Sequence, residues 1–128
     1  MRILPLALAA IALSVPVTAA EAPAKVTVTM ANFSFTPEEL HLQAGRPVTL
    51  HFVNEGSGGH DFTASEFFAA ATMDAANRTR IGGTKGRVSL GKGASSDVTL
   101  VPKAGIWKAH CSHFGHTALG MTGKIVVD

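Results

Sequence analysis

Val26, Val28 and Met30 alternate with Lys25, Thr27 and Thr29, the two-residue period of a strand with one buried face. Phe33 and Phe35 extend this alternation until Pro37 interrupts it, and Leu40 and Leu42 flank an outward His41 before a turn at Ala44 and Gly45. Pro47 opens a second clear strand, with Val48, Leu50 and Phe52 on one face and Thr49, His51 and Val53 on the other. Residues 54–59 read as a glycine-rich loop and 60–63 as a short extended piece. The run Ser65, Glu66, Phe67, Phe68, Ala69, Ala70, Ala71 and Met73 predicts the one helix of the chain, with Ser65 as its N-cap. Gly82, Gly83 and Gly86 break the chain after it. Residues 87–90, 97–101, 106–111 and 124–127 are β-like, with turns at 91–96 and at Pro102 and Gly105 and a loop over 112–123. About seven short strands with a turn every eight to twelve residues or so predict an all-β sandwich or barrel. Phe67, Phe68 and Met73 are read as helix-to-sheet packing and Trp107 as core.

Composition narrows this to one domain, since 128 residues with 46% hydrophobic positions fill a single core. The 11 Lys and Arg against 9 Asp and Glu leave a net charge of +2, and no basic run gathers it on one face, which argues against a nucleic-acid partner. The start of the chain carries a different signal. Arg2 precedes an apolar stretch from Ile3 to Leu13, followed by Val17, Thr18, Ala19 and Ala20, the pattern of a secretory leader with cleavage near Ala19 or Ala20. The expected organisation is therefore a signal peptide over 1–20 and an exported, periplasmic domain over 21–128. No Cys follows the leader to take a lipid, and no later run is long enough to span a bilayer, so a monomer without stable membrane insertion is expected.

Export changes the meaning of Cys111, the single cysteine, because it has no internal partner for a disulfide. An inert core thiol, a reactive thiol and a metal ligand remain open for it. Its neighbours favour the last. Cys111, His116 and Met121 stand five residues apart in one loop, and Gly115, Gly120 and Gly123 let that loop fold back on itself. Thiolate and thioether are soft donors and imidazole is intermediate, so one Cys, two His and a weakly held Met suit copper. The second imidazole has to come from elsewhere, and His60, at the start of a short strand after Gly56, Ser57, Gly58 and Gly59, is the best candidate. The metal site read from these residues is His60, Cys111, His116 and Met121, holding one copper ion that cycles between Cu(I) and Cu(II). His113 is read as a solvated loop residue, with roles beside or at the metal left open. His110 should face away from the sulfur by strand alternation, and His41 and His51 are read as ordinary surface or partly buried residues.

The order His, long gap, Cys, four residues, His, four residues, Met resembles that of the cupredoxins, the small blue copper proteins that include plastocyanin, azurin and rusticyanin. The resemblance covers essentially all of the chain after the leader. It implies a Greek-key β-sandwich with copper at one end, held equatorially by His60, Cys111 and His116 and axially by Met121. The loop spacings are closer to those of rusticyanin or auracyanin than to those of plastocyanin. Two positions depart from the usual pattern. Asp61 stands where many members carry Asn, keeping the backbone N–H that approaches the sulfur but losing the amide. His113 and Phe114 occupy a stretch that often contains Pro.

Donors that suit both copper oxidation states point to a one-electron carrier, not an enzyme. The resemblance implies that the His116 imidazole edge would reach the surface within an apolar patch, to which Ala118 and Leu119 could contribute, suiting a transient encounter with a redox partner. A periplasmic copper carrier or buffer, exchanging Cu(I) with a donor and an acceptor, is the alternative reading of the same ligands. A cupredoxin-like accessory of a metal-uptake system is another. A Cys and His hydrolase would need a donor set to activate Cys111, which instead ends a strand. Zinc could take the same ligands without redox chemistry.

Overall fold

The computed structural model describes residues 12–17, 22–113, 115 and 119–128. The described residues form two sheets. One has the order β2 (Ser34–Thr36), β1 (Ala24–Ala31), β4 (Val48–Asn54), β7 (Ser95–Leu100). The other runs β3 (Glu39–Leu42), β9 (Thr122–Val127), β8 (Gly105–His110), β5 (His60–Thr63), β6 (Arg87–Leu90). The expected all-β sandwich is what the chain adopts.

The alternation read from the sequence fixes which side chains face inward. In β4, Val48, Leu50, Phe52 and Asn54 are buried while Thr49, His51 and Val53 are only partly so. Met30 and Val28 of β1, Val98 and Leu100 of β7 and Ile125 and Val127 of β9 meet them in a common core. At its centre Phe62 packs edge-on to Phe35 at 5.2 Å between ring centroids and tilted against Phe52 at 5.1 Å, so one β5 residue joins both sheets.

Two expectations need correction. The run of alternation from Lys25 to Phe35 is broken into two strands by a tight turn at Asn32 and Phe33, after which β2 pairs back antiparallel on β1 with Met30 opposite Phe35. Phe33 takes a positive φ of 61° there, a conformation rare for an aromatic residue, and its ring remains 42% exposed. The single helix is also replaced. The described residues contain α1 (Ser65–Ala70), α2 (Ala75–Arg80) and a 3₁₀ turn (Gly83–Lys85). Thr72 ends the first helix because its backbone is taken by Val101 in an antiparallel bridge, with N–H to O distances of 3.0 and 2.8 Å. Asp74 then caps α2 by accepting from the Asn77 N–H at 2.8 Å. Ser65 is not the N-cap of α1. That position is Ala64, and the Ser65 hydroxyl donates instead to the Lys85 carbonyl at 2.8 Å.

Phe67 and Phe68 are buried, as read from the sequence, and Trp107 is partly buried against Phe67. The Arg78 guanidinium donates to the carbonyls of Phe68 and Ala71, which ties α2 to the frayed end of α1. The insertion over residues 64–86 thus closes one flank of the sandwich.

Candidate metal centre

His60 opens β5 and Cys111 follows the last residue of β8. Pairing of Thr63 with His110 sets these strands side by side, so two residues distant in sequence share one end of the sandwich. His60 is 3% exposed and Cys111 and Met121 are fully buried. The His60 Nδ1 lies 4.0 Å from the Cys111 Sγ. Two donors bound at about 2.0 and 2.3 Å to one ion stand ~3.5–3.7 Å apart at tetrahedral to trigonal angles, so this pair lies only slightly wider than the spacing for a shared ion. Met121 is drawn in by its own backbone, whose carbonyl accepts the Cys111 N–H at 3.1 Å. His116 lies outside the described residues, as do Phe114 and Ala118.

The ring of His60 is oriented from behind. Its Nε2 lies 3.2 Å from the Asn32 Oδ1, and a proton on Nε2 would leave the Nδ1 lone pair aimed at the sulfur. Asn32 is itself held by Ser57, whose N–H reaches the same oxygen at 3.0 Å and whose hydroxyl accepts from the Asn32 amide at 3.1 Å. Gly56 makes room for this arrangement: a Cβ there would stand 2.5 Å from His60 Nε2 and 2.9 Å from the Asn32 Oδ1. Buried Asn54 braces the same loop, donating to the Gly58 and Leu90 carbonyls and accepting from the Gly56 N–H.

Asp61 ties the two ligand-bearing strands together. Its backbone N–H approaches the Cys111 sulfur at 3.5 Å, as expected for that position. Its carboxylate accepts the Ser112 N–H at 2.9 Å and the Thr63 hydroxyl at 2.6 Å on one oxygen, and the Ser112 hydroxyl on the other. Burial alone would push this carboxyl upward, but the hydrogen bonds from Ser112 and Thr63, with the Arg87 charge beyond them, together hold it below the usual carboxylate range. Arg87 reaches the network by donating from Nε to the Thr63 hydroxyl at 3.1 Å.

The other histidines sort as follows. His110 is exposed and faces away from the sulfur, and His41 and His51 lie on the surface at 64% and 26% side-chain exposure. His113 is more than a solvated loop residue. It is 45% exposed, yet its Nε2 lies 3.6 Å from a carboxylate oxygen of buried Asp61. Sequence reasoning missed the bracing roles of Asn32, Asn54 and Gly56. Glycine in a loop and Asn in a turn are what any turn would carry, so neither residue signals a ligand partner across 28 positions.

The chain belongs to the cupredoxin-like domain family, whose model matches residues 4–127. Among solved structures it is similar to the auracyanin of the photosynthetic bacterium Roseiflexus castenholzii, with a TM-score of 0.60 at 18% identity, covering 84% of this chain and 99% of that one. Auracyanin B gives a TM-score of 0.58 at 26% identity over 84% of this chain and 91% of that one. Auracyanin A of Chloroflexus aurantiacus, a "blue" copper protein, gives 0.57 at 23% identity over 84% and 100% respectively. A multicopper oxidase is also similar, with a TM-score of 0.59 at 17% identity, over 81% of this chain but 41% of the larger protein. No curated protein sequence matches the chain. No helix among the described residues is long and apolar enough to cross a membrane.

Proposed function

We propose that this chain is an exported one-electron carrier that holds a single copper ion through His60, Cys111, His116 and Met121. The observation that carries the reading is the buried imidazole of His60 set 4.0 Å from the only thiol of the chain, with its far nitrogen against Asn32. Bound there, copper would supply one-electron chemistry between Cu(II) and Cu(I). The residues themselves do the rest. His60 is clamped by Asn32 and Gly56, and Cys111 by Asp61 and Met121, so the donor positions are fixed by packing before any ion arrives and need little rearrangement when the charge of the site changes by one. Burial of Cys111 and Met121 keeps water from the sulfur donors.

The exposed side chains of Phe33 and Leu119, 42% and 64% exposed, lie on loops at the ligand-bearing end and would give a transient redox partner an apolar surface. For the leader, the supporting observation is that Leu13, Val15 and Val17 are 88%, 81% and 95% exposed, apolar residues that add nothing to the core. We assign residues 1–20 to an export signal and 21–128 to the mature domain, and the mass of the protein isolated from its native compartment tests the cut.

Loading the apo protein with Cu(II) tests the function. An intense visible thiolate-to-copper band and reversible reduction and reoxidation are expected. A colourless copper complex, or loss of the ion on reduction, would refute the carrier. Rapid transfer of the ion to an acceptor would instead favour copper handling.

A further inference from the structure

Cys111 has a second set of donors beside it. One ligand atom each from Asp61, Cys111 and His113 lies within 4.8 Å of the others, and the Asp61 to His113 separation of 3.6 Å is that of two donors sharing an ion. The set is graded from solvent inward: His113 is 45% exposed, the Asp61 side chain 2% and Cys111 not at all. A shallow depression lined by Phe33, Gly58, Gly59 and His113 opens above it and reaches His60. Gly59 lets the His113 ring lie close against the loop, since a Cβ there would stand 3.3 Å from the ring's Cε1. The rings of His113 and His60 are 6.3 Å apart between centroids.

Resting on the copper reading above, we propose that His113, Asp61 and Cys111 form an outer docking set that captures Cu(II) from solvent and passes it to the inner set through their shared sulfur. The carboxylate and imidazole suit a divalent ion, and the Asp61 oxygen beside His113, which accepts one hydrogen bond from Ser112, has a further lone pair to offer. Cys111 releases its thiol proton to solvent as it takes the cation. His60, one ring away, then replaces His113 and Asp61 while the sulfur never lets go. No electron moves in this exchange. Capture starts at His113 because it is the one donor among the described residues that meets solvent, whereas His60, Asp61, Cys111 and Met121 are all buried.

Mixing apo protein with Cu(II) in a stopped-flow spectrometer tests the relay. The wild type should show an early thiolate-to-copper band that decays as the final visible band rises. His113→Ala should lose the early band and reach the same final spectrum about tenfold more slowly, the lower end of what removing a group outside the resident ligands costs a metal site. Gly59→Ala, which crowds the His113 ring without removing a donor, should slow uptake in the same sense. His60→Gly should arrest the protein at the early band. An unchanged rate in His113→Ala with the early phase intact would overturn the outer set while leaving the carrier reading in place. So would a final spectrum altered by His113→Ala, which would make His113 part of the resident site. A wild type that stops at the early band would support the outer set and sink the carrier.

Discussion

Gly56 shows how little tolerance the site has at the scale of one residue. Adding a Cβ at 2.5 Å from His60 Nε2 forces the imidazole off Asn32. Gly56→Ala is therefore expected to weaken copper binding by about 10- to 100-fold, the range found when partners of metal ligands are lost, as read by competition with a chelator. Asp61 carries a charge where an amide would hold the same clamp. Asp61→Asn keeps an acceptor for the Ser112 N–H and removes a negative charge beside the sulfur. The oxidised, more positive ion loses more from that change than the reduced one. The reduction potential should rise, by on the order of tens of millivolts, in voltammetry of the loaded protein. A fall in potential would show that loop rearrangement, not charge, governs the effect. Cys111 and Met121 were legible as candidate ligands from their spacing, because two soft donors in one glycine-bearing loop suit metal ligation better than core packing. Asn32 and Gly56 were not, because hydrogen bonding and steric clearance across 28 and four positions leave no local pattern.

Among the elements, β5 links the core to the site. Its His60 faces the sulfur while Phe62, two residues on, packs on Phe35, Phe52 and Phe68. Phe62→Ala should cost about 3–5 kcal/mol in denaturant unfolding, the range for a fully packed aromatic, and loosen the His60 end of the strand with it. Helix α2 offers a separate test. Hydrogen bonds from the Asn77 backbone and then its side chain hold the Asp74 carboxyl below its ordinary value. A carboxyl lowered in the folded state adds stability above its unfolded pKa, about 3.9, and loses it as pH falls through the lower folded value. The Asp74→Asn variant keeps the cap acceptor and should show a shallower fall in melting temperature below about pH 4 than the wild type. An identical acid profile would mean that Asp74 does not contribute to acid unfolding. The two-residue alternation made most strands legible, whereas the helix was misjudged because the Thr72 bridge to Val101 is a long-range competitor that helix propensity does not contain.

For the whole molecule, an ion held between β5 and the segment following β8 crosslinks positions 60 and 111 and binds only the folded chain. Copper should raise the unfolding free energy by RT ln(1 + [Cu]/Kd), about 4 kcal/mol at a thousandfold excess over Kd. A chelator should reverse the gain, and Cys111→Ser should remove most of it. Calorimetry of apo and loaded protein reads both, and equal melting temperatures would deny the crosslink.

Period and spacing along the chain were enough to determine that the protein is an all-β sandwich and to single out Cys111, with His and Met residues near it, as its candidate metal ligand. Both are local facts: strand alternation repeats every two residues, and the donors sit in one loop. Only the tertiary structure decided which distant groups surround that sulfur. The pairing of Thr63 with His110 sets His60 and Asp61 beside Cys111, and the turn at Asn32 reaches back to orient the imidazole. Those meetings depend on the register between strands far apart in sequence, which is set by packing of the whole core rather than by any residue's neighbours.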